Sequence, residues 1–508
     1  MNGKLLAVAF AGAALVSTAE TVRPKATDEA LINPGMGLVF YHYANRYWAY
    51  GSRQTPGDTL DDTFPGTSVV YLRVLWSDIE KEAGVYRWDV LDSVAQQWIA
   101  KGRKIAIRII CSNQTANATP EWVREAGAKF TEFTYKRGDR GIDCKAKRWE
   151  PVFDDPIFLE KLSGFARAFA ARYDGSEDVA FVDIGSFGMY GEGHTGYTVK
   201  LSDEERSRVA RIHIDFWKKH LPRTYLVVSD DVCGGWNPAP DDPLLAYCRK
   251  IGVGFRDDSI FCFPKKGTNP ECPFDGWAHD GWARLFAPTL PVVVETGHYT
   301  GPDDQKGRWE GKRLVECAEA YRASYFSIHG FPEEIAAKFS DEYRELSRRI
   351  GYRFEPRQVT YPETVRADEP VTVESTWVNT GTAICHAGAA LTWSLVNDAG
   401  VTVWSVTDPD FDFRSLEPKI GGVEKPVVVR SVCRFGHTVP VPDDCDFLLD
   451  LARARGLATE RMSVLLKPGR YTLCVSVGTR QGTPKIALPL AEQIGTTRRY
   501  ALGPITVE

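Results

Sequence analysis

Between residues 30 and 350, short runs of apolar residues alternate with longer segments whose apolar residues recur every three or four positions. The run at residues 68–75 is almost continuous, which is typical of a strand buried on both faces. After it, Leu91, Ala95 and Trp98 recur at helical spacing, and Gly102 ends that segment. Eight apolar runs predict strands, at residues 38–41, 68–75, 104–110, 179–184, 225–228, 253–255, 291–294 and 324–328.

Signals for helix starts separate these strands. Asp89 and Asp155 are candidate N-caps, and Pro156 suits the first position of a helix. Ser202 and Glu205 have the spacing of a capping box. Strands joined by helices run parallel, so eight such units predict a (β/α)8 TIM barrel, which is an α/β fold. An open doubly wound sheet is the alternative, but no G-x-G-x-x-G follows the first strand, which disfavours its dinucleotide-binding form.

After residue 355 the helical spacing almost disappears and apolar residues alternate with polar ones. Short alternating runs occupy residues 370–377, 390–396, 401–406, 471–477 and 505–507. Turn sequences that contain Asn, Asp, Gly or Pro separate several of them, a pattern that predicts an immunoglobulin-like β-sandwich. We therefore assign residues 20–353 to the barrel and residues 354–508 to a C-terminal β-sandwich domain.

The first residues have the order of a secretory signal peptide. Lys4 precedes an apolar run at residues 5–16, and the small residues 17–19 follow it. The run is shorter than the roughly 20 helical residues that cross a bilayer, and no later run is long enough. We therefore predict a signal peptide at residues 1–19, export to a periplasmic or extracellular location from a bacterial source, and no integral membrane segment. A buried N-terminal helix is the alternative.

Composition limits the partners. Lys and Arg number 62 against 67 Asp and Glu, so the net charge of −5 offers no basic excess to a nucleic acid. The 14 Trp, 20 Tyr and 25 Phe include candidates for stacking on sugar rings. Eleven Cys contain no C-x-x-C pair, which disfavours a structural zinc site. Asp408, Asp410 and Asp412 alternate as calcium ligands do but lack the accompanying Gly and Glu. We expect no metal and no organic cofactor.

Two glutamates follow predicted strands where a barrel has its active site, at the carboxyl ends. Glu192 lies between two glycines in the loop after the fourth strand, and Glu295 directly follows the seventh. A buried carboxylate costs several kcal/mol unless it is paired, so each needs a reason. A pair of carboxyl groups can hydrolyse a glycosidic bond. The alternatives are a loop residue paired with Arg for Glu192, and an ion pair with Arg73 or Arg108 for Glu295.

Further candidates lie near the same strand ends. Asp183 is the fallback acid, and Asp230 and Asp231 follow the fifth strand, where a solvated loop is their alternative role. His194 and His298 could bind sugar hydroxyls or make structural hydrogen bonds. Six residues in or near these loops could contact or stack on a sugar, or else belong to the core: Tyr41, His42, Trp76, Tyr190, Trp236 and Tyr299.

These residues resemble the clan A retaining glycoside hydrolases. The resemblance includes Arg73 on the second strand, the W-x-x-I-E…G-x-Y-x-W segment at residues 76–88, and glutamates after strands four and seven. Residues 33–37, 185–194 and 500–503 resemble a bacterial group whose members join such a barrel to a β-sandwich. The resemblance implies Glu192 as acid/base and Glu295 as nucleophile. The sequence departs from the clan at Gly191, where the clan has Asn, and at residues 327–329, where it has Trp.

The sequence therefore predicts an exported retaining glycoside hydrolase that acts on an oligo- or polysaccharide, with the β anomer implied only by the clan resemblance. The rival interpretation is a carbohydrate-binding protein that has kept the barrel without the chemistry. A lyase or esterase is a third possibility without a supporting motif, since G-x-S-x-G is absent.

Overall fold

The computed structural model describes residues 18–42, 66–134, 146–195, 198–233, 242–260, 280–296, 312–328, 338–367, 369–434 and 466–508. All eight predicted barrel strands are present, and they form one closed barrel. They are β1 (Gly37–His42), β2 (Thr67–Leu75), β3 (Lys104–Ile110), β4 (Val179–Asp183), β5 (Leu226–Ser229), β6 (Val253–Ile260), β7 (Val292–Thr296) and β8 (Tyr325–Ile328). The predicted TIM barrel is confirmed, and the open-sheet alternative is wrong.

Each barrel strand pairs in parallel with its neighbours in the chain, and β8 closes the barrel against β1. The register places Arg73 of β2 beside Arg108 of β3, and Arg108 beside Asp183 of β4. Three charged residues on consecutive strands therefore share one level near the carboxyl ends.

The helices described by the structure begin as predicted at two of the three candidate caps. They are α1 (Trp76–Ile79), α2 (Asp89–Ile99), α3 (Glu121–Glu125), α4 (Pro156–Tyr173), α5 (Asp203–His220), α6 (Pro243–Ile251), α7 (Asp280–Phe286), α8 (Lys312–Tyr321) and α9 (Ser340–Arg349). Asp155 caps α4, and Ser202 with Glu205 forms a capping box on α5, as predicted. Asp89 is the first residue of α2 instead of its cap, because Trp88 occupies the N-cap position.

Apolar residues pack on both faces of the barrel strands. The outer layer packs the helices on the barrel and contains Trp76, Trp98 and Trp217. The inner layer fills the barrel with residues such as Tyr71, Ala106, Phe181 and Val293. Side chains two positions apart on a strand point to the same face. The next inward positions are therefore Arg73, Arg108, Asp183 and Glu295, so the interior changes from apolar to charged toward the carboxyl ends.

The C-terminal residues form two sheets that share a second hydrophobic core. The four-stranded sheet contains Ala19–Val22, Phe354–Pro362, Pro370–Asn379 and Val427–Arg434. The other sheet contains Thr364–Val365, Ala390–Val396, Thr402–Thr407, Gly469–Gly478, Pro484–Ile486 and Tyr500–Val507. The immunoglobulin-like topology stays a prediction.

The N-terminal segment corrects one part of the sequence-based assignment. Residues 20–22, which we placed with the barrel, belong to the strand Ala19–Val22, which pairs antiparallel with Phe354–Pro362. The end of the chain contacts this segment again, since Asn33 hydrogen bonds to the backbone of Ala487. Residues 1–17 of the predicted signal peptide lie outside the described residues. Among the described helices, none is long and apolar enough to cross a membrane.

Two further contacts join the barrel to the second core. The hydroxyl of Thr382 donates to the Ala323 carbonyl oxygen at 2.8 Å, just before β8. His386 Nε2 lies 2.9 Å from the Ala287 carbonyl oxygen, after α7. The acidic segment that resembled a calcium loop is a turn, in which Asp408 accepts hydrogen bonds from two backbone N–H groups.

The cap of α4 provides a test of the barrel's helix signals. Asp155 Oδ1 accepts from the backbone N–H groups of Ile157 and Phe158. We expect Asp155→Ala to lower the free energy of unfolding by about 1 kcal/mol, because both donors lose their partner. Urea denaturation of both proteins measures the difference.

Asp154→Ala is the matched control. Asp154 makes an ion pair with Arg208 on the surface, so its loss should change the free energy of unfolding by less than about 0.5 kcal/mol. Equal losses in the two variants would contradict the capping role of Asp155.

Candidate active site

The charged level at the mouth of the barrel is a network centred on buried arginines. Asp183 Oδ2 accepts from Arg108 Nη2 at 2.6 Å and from the Tyr71 hydroxyl. Arg256, on β6, also approaches this oxygen, with its Nε at 2.8 Å. Burial opposes ionisation of Asp183, but the two arginines outweigh it and hold its pKa below the usual range. Asp183 is therefore a buried anion, and it is not a proton donor.

Glu192 lies in the loop after β4 and faces three arginines. Its Oε1 is 2.5 Å from Arg108 Nη1, 3.6 Å from Arg256 Nη2 and 3.8 Å from Arg73 Nη2. Its side chain remains 12% exposed, so it can meet a ligand. The ion-pair alternative is therefore correct as a description of its contacts, although such a pair does not exclude catalysis.

The glycines around Glu192 serve the loop itself. Gly191 has a φ of +75°, and a Cβ on it would lie 2.4 Å from the Gly185 carbonyl oxygen. A Cβ on Gly188 would lie 2.6 Å from Gly193. These glycines let the loop fold tightly on itself, which positions Glu192.

Glu295 ends β7 inside the barrel and is 3% exposed. Its Oε2 accepts from Arg256 Nη1 at 3.0 Å and from the Tyr41 hydroxyl. The sequence named Arg73 or Arg108 as its ion-pair partner, and the ion pair that the structure shows is with Arg256, because β6 is the strand beside β7. Burial, followed by the charge of Glu295, raises the pKa of Tyr41, which stays a neutral donor. Tyr41 thus holds a glutamate and does not offer a stacking surface.

Arg256 is the principal residue that the sequence analysis missed. Its guanidinium contacts four carboxylates, those of Asp183, Glu192, Asp258 and Glu295. The available signal was the Arg-Asp-Asp sequence at residues 256–258, which is unusual within an apolar barrel strand. Burial, and then the charge of Glu192, raises the pKa of Asp258 well above its ordinary value. The site therefore contains a carboxyl group that retains its proton to a higher pH than an exposed aspartate.

His194 and two aspartates complete the side of the site next to Glu192. Burial opposes protonation of His194, but the charges of Asp231 and Glu192 outweigh it and raise its pKa to about 10. Its Nε2 lies 3.0 Å from Asp231 Oδ2, while Asp230 Oδ1 accepts from the Asp258 backbone N–H. Asp230 therefore has a structural contact and is buried, not a solvated loop residue.

Two groups in this region have donor atoms within 4.8 Å of one another, as a metal site requires: Glu192, His194 and Asp231, and Asp230, Asp231 and Asp258. Carboxylate-rich groups of this kind suit a hard divalent cation. Here the charged groups of Arg256 and His194 already lie beside Asp258 and Asp231.

The remaining predicted residues divide into three sets. Trp76 is fully buried, packs against Trp122 and Phe165, and donates to Glu80, so of its two predicted roles the core role is confirmed and stacking on a sugar is not. Tyr190 contributes its carbonyl oxygen, which accepts from Arg108. Trp236, His298 and Tyr299 lie outside the described residues, and so does the side chain of His42.

The high pKa of His194 can be measured directly. We expect its imidazole to stay protonated until about pH 10, because Asp231 and Glu192 stabilise the charged form. Burial lowers the pKa of His213 to about 4, so His213 should remain neutral above that pH. NMR titration of histidine-labelled protein, assigned with His194→Gln and His213→Gln, would follow both residues.

Asp231→Asn supplies the control for this titration. It removes the nearest negative charge and should lower the pKa of His194 while that of His213 stays the same. A His194 resonance that titrates near pH 6.5 in the wild-type protein would contradict the arrangement around Glu192.

The packing of the Glu192 loop predicts an unequal effect of two similar substitutions. Gly84 and Gly191 have the same φ of +75°, but only Gly191 has atoms within 4 Å of an added Cβ. Gly84→Ala should cost about 1 kcal/mol of backbone strain. Gly191→Ala should cost about 1–3 kcal/mol more, because the new methyl group collides with the Gly185 backbone. Urea denaturation would compare them, and equal costs would refute the tight packing.

Part of the barrel, including three charged residues of the site, matches a known protein family. Residues 65–187 match glycosyl hydrolase family 42, described as β-galactosidase. The matched segment contains Arg73, Arg108 and Asp183 and ends before Glu192. No curated protein sequence matches the chain.

Several solved structures are similar in outline. A crystal structure of a glycoside hydrolase has 13% identity and a TM-score of 0.39, over 61% of this chain and 99% of that one. Endo-glycoceramidase II from Rhodococcus sp. has 14% identity and a TM-score of 0.41, over 81% and 99%. The β-galactosidase from the psychrophilic Marinomonas ef1 has 12% identity and a TM-score of 0.38, over 62% and 59%.

These TM-scores lie below 0.5, so the fold assignment rests on the closed barrel and not on these likenesses. The barrel and the matched segment at residues 65–187 confirm the resemblance to the clan A glycoside hydrolases and support a glycosidase activity.

Proposed function

We propose that this protein is a retaining glycoside hydrolase that cleaves a β-linked oligo- or polysaccharide by double displacement. Glu295 is the nucleophile and Glu192 is the acid/base. The observation that carries the proposal is that one guanidinium contacts both carboxylates, with Arg256 Nη1 3.0 Å from Glu295 Oε2 and Nη2 3.6 Å from Glu192 Oε1. The two glutamates, 103 positions apart in the chain, therefore converge on one point.

Two steps follow from these roles. In the first, a Glu295 oxygen attacks the anomeric carbon while the bond to the leaving oxygen breaks and Glu192 gives that oxygen its proton. In the second, water attacks the anomeric carbon, Glu192 takes one of its protons, and the bond to Glu295 breaks. The anomeric configuration is inverted twice and so retained. No metal or organic cofactor takes part in either step.

The contacts of Glu295 suit a nucleophile. A cation and hydrogen-bond donors favour the charged form of a carboxyl group. Arg256 and the Tyr41 hydroxyl supply both, and the raised pKa of Tyr41 keeps that hydroxyl protonated. Near Glu192, burial and then the charge of Glu192 raise the pKa of Asp258, so this carboxyl group retains its proton to a higher pH than an exposed aspartate.

Export is a separate part of the proposal and rests on residues 1–19. Six cysteines of the described residues are free and buried: Cys111, Cys233, Cys248, Cys385, Cys433 and Cys474. Burial raises the pKa of Cys111, Cys233 and Cys248, so their reactive thiolate forms are disfavoured. Such thiols are compatible with an oxidising compartment.

One observation favours the rival function, a carbohydrate-binding protein without hydrolysis. Glu295 is 3% exposed and ion-paired to Arg256, which leaves little room for an attacking carboxylate. A catalytic site needs the sugar to reach this carboxylate, whereas a binding site does not.

Trapping of the covalent intermediate separates these functions. We expect a panel of 2-deoxy-2-fluoro aryl β-glycosides to include one that labels the protein once, on Glu295, because the fluorine slows the second step. Mass spectrometry of peptides locates the label. Glu295→Gln should abolish labelling and lower hydrolysis of the matching aryl β-glycoside by about 10³-fold or more.

Glu192→Ala should accumulate the same intermediate from an activated aryl glycoside and recover turnover with azide, giving a β-glycosyl azide. Glu160→Gln, on the surface of α4, is the matched control and should keep full activity. Hydrolysis that survives both glutamate substitutions would refute the proposed mechanism. Glycan binding without hydrolysis of any substrate would favour the rival function.

A further inference from the structure

The two-glutamate mechanism assigns no role to the buried side chain of Asp183. It is completely excluded from solvent, so neither a sugar nor a water molecule outside the barrel reaches it. All of its described hydrogen-bond and ion-pair contacts are to Oδ2, from Arg108, Arg256 and Tyr71. The other oxygen, Oδ1, is buried with no hydrogen-bond partner among the described residues.

Each of the two arginines that contact Asp183 also donates a hydrogen bond to a catalytic glutamate. Arg108 uses Nε and Nη2 on Asp183 and Nη1 on Glu192, at 2.9, 2.6 and 2.5 Å. Arg256 makes an ion pair with Asp183, whose Oδ2 lies 2.8 Å from Nε, and its Nη1 donates to Glu295 at 3.0 Å. A guanidinium is planar and rigid, so fixing one edge of it fixes the direction of the other.

The positive charges of Arg108 and Arg256 require a carboxylate between them. Arg108 and Arg256 are both buried, and their cations repel one another. A carboxylate between them compensates for this repulsion, and removal of one partner from a buried ion pair leaves an uncompensated charge. Tyr71 lies below and donates to the same carboxylate oxygen.

We propose that Asp183 is a positioning residue that sets the separation of Glu192 and Glu295 through Arg108 and Arg256. This inference rests on the proposed function for its kinetic consequence but not for its geometry. A retaining enzyme holds its two carboxyl groups about 5–5.5 Å apart, and inverting enzymes hold them about 6.5–9.5 Å apart. The residue that sets this distance therefore decides which stereochemical outcome the site can support.

Crystal structures of wild type and Asp183→Asn test the geometry without any substrate. The asparagine has the same shape but no charge, so the two guanidiniums should separate and move the glutamate carboxylates by more than about 0.5 Å relative to each other. Asp174→Asn is the matched control, because Asp174 is also bonded to an arginine, Arg223, before β4 and β5 begin. Unchanged glutamate positions in Asp183→Asn would overturn the proposal.

The second readout is the rate of hydrolysis of the aryl β-glycoside whose fluorinated analogue labels Glu295. Asp183→Asn should lower kcat by on the order of 10²-fold with KM unchanged, because misplacement by about 1 Å costs that much and Asp183 does not touch the sugar. The acidic limb of the pH–rate profile should move to lower pH, since one negative charge beside the arginines is gone. Asp174→Asn should move neither quantity. An unchanged kcat and pH profile in Asp183→Asn would overturn the proposal.

Two further variants keep the outcomes distinct. If Asp183→Asn does not fold, Tyr71→Phe removes one hydrogen bond to Asp183 and keeps its charge. We expect a smaller fall in kcat with the pH profile unchanged, and wild-type kcat would overturn the proposal. If Glu192→Gln and Glu295→Gln keep full activity, the proposed function fails, and the crystal structures still decide whether Asp183 positions the glutamates.

Discussion

A buried charge network at the carboxyl end of the barrel is the constraint on which the site depends. Arg108 and Arg256 have almost no contact with solvent, and each must recover the cost of dehydration from carboxylates nearby. Asp183, Glu192 and Glu295 supply those carboxylates. Because each arginine contacts more than one of these carboxylates, the network holds the two glutamates in one arrangement. The same interactions that stabilise the barrel mouth therefore also shape the chemistry.

The layers below and beside this network make its geometry possible. Tyr41 and Tyr71 stand at the boundary, with their rings in the apolar interior of the barrel and their hydroxyl groups on Glu295 and Asp183. Their raised pKa values, caused first by burial, keep them as donors. On the solvent side, the loop that carries Glu192 folds tightly because glycine allows its backbone to approach itself. The charged residues therefore lie between the apolar interior of the barrel and the compact Glu192 loop on the solvent side.

The second core adds support from a distance. Its four-stranded sheet includes the N-terminal strand Ala19–Val22, so the chain enters this unit before it forms the barrel and returns to it afterwards. Backbone carbonyls near β8 and after α7 accept hydrogen bonds from Thr382 and His386. The barrel therefore has contacts with the second core close to two of its last elements.

The sequence by itself determined the barrel, because eight apolar runs and the caps at Asp155 and Ser202 are local signals of strands and helices. It also located both glutamates, since a charge after a buried strand is visible in the pattern. Only the tertiary structure decided their partners: Arg256 on Glu295, Tyr41 as a donor, and Trp76 in the core. Which side chains meet across a barrel depends on strand order and register, and these long-range relations leave no local pattern along the chain.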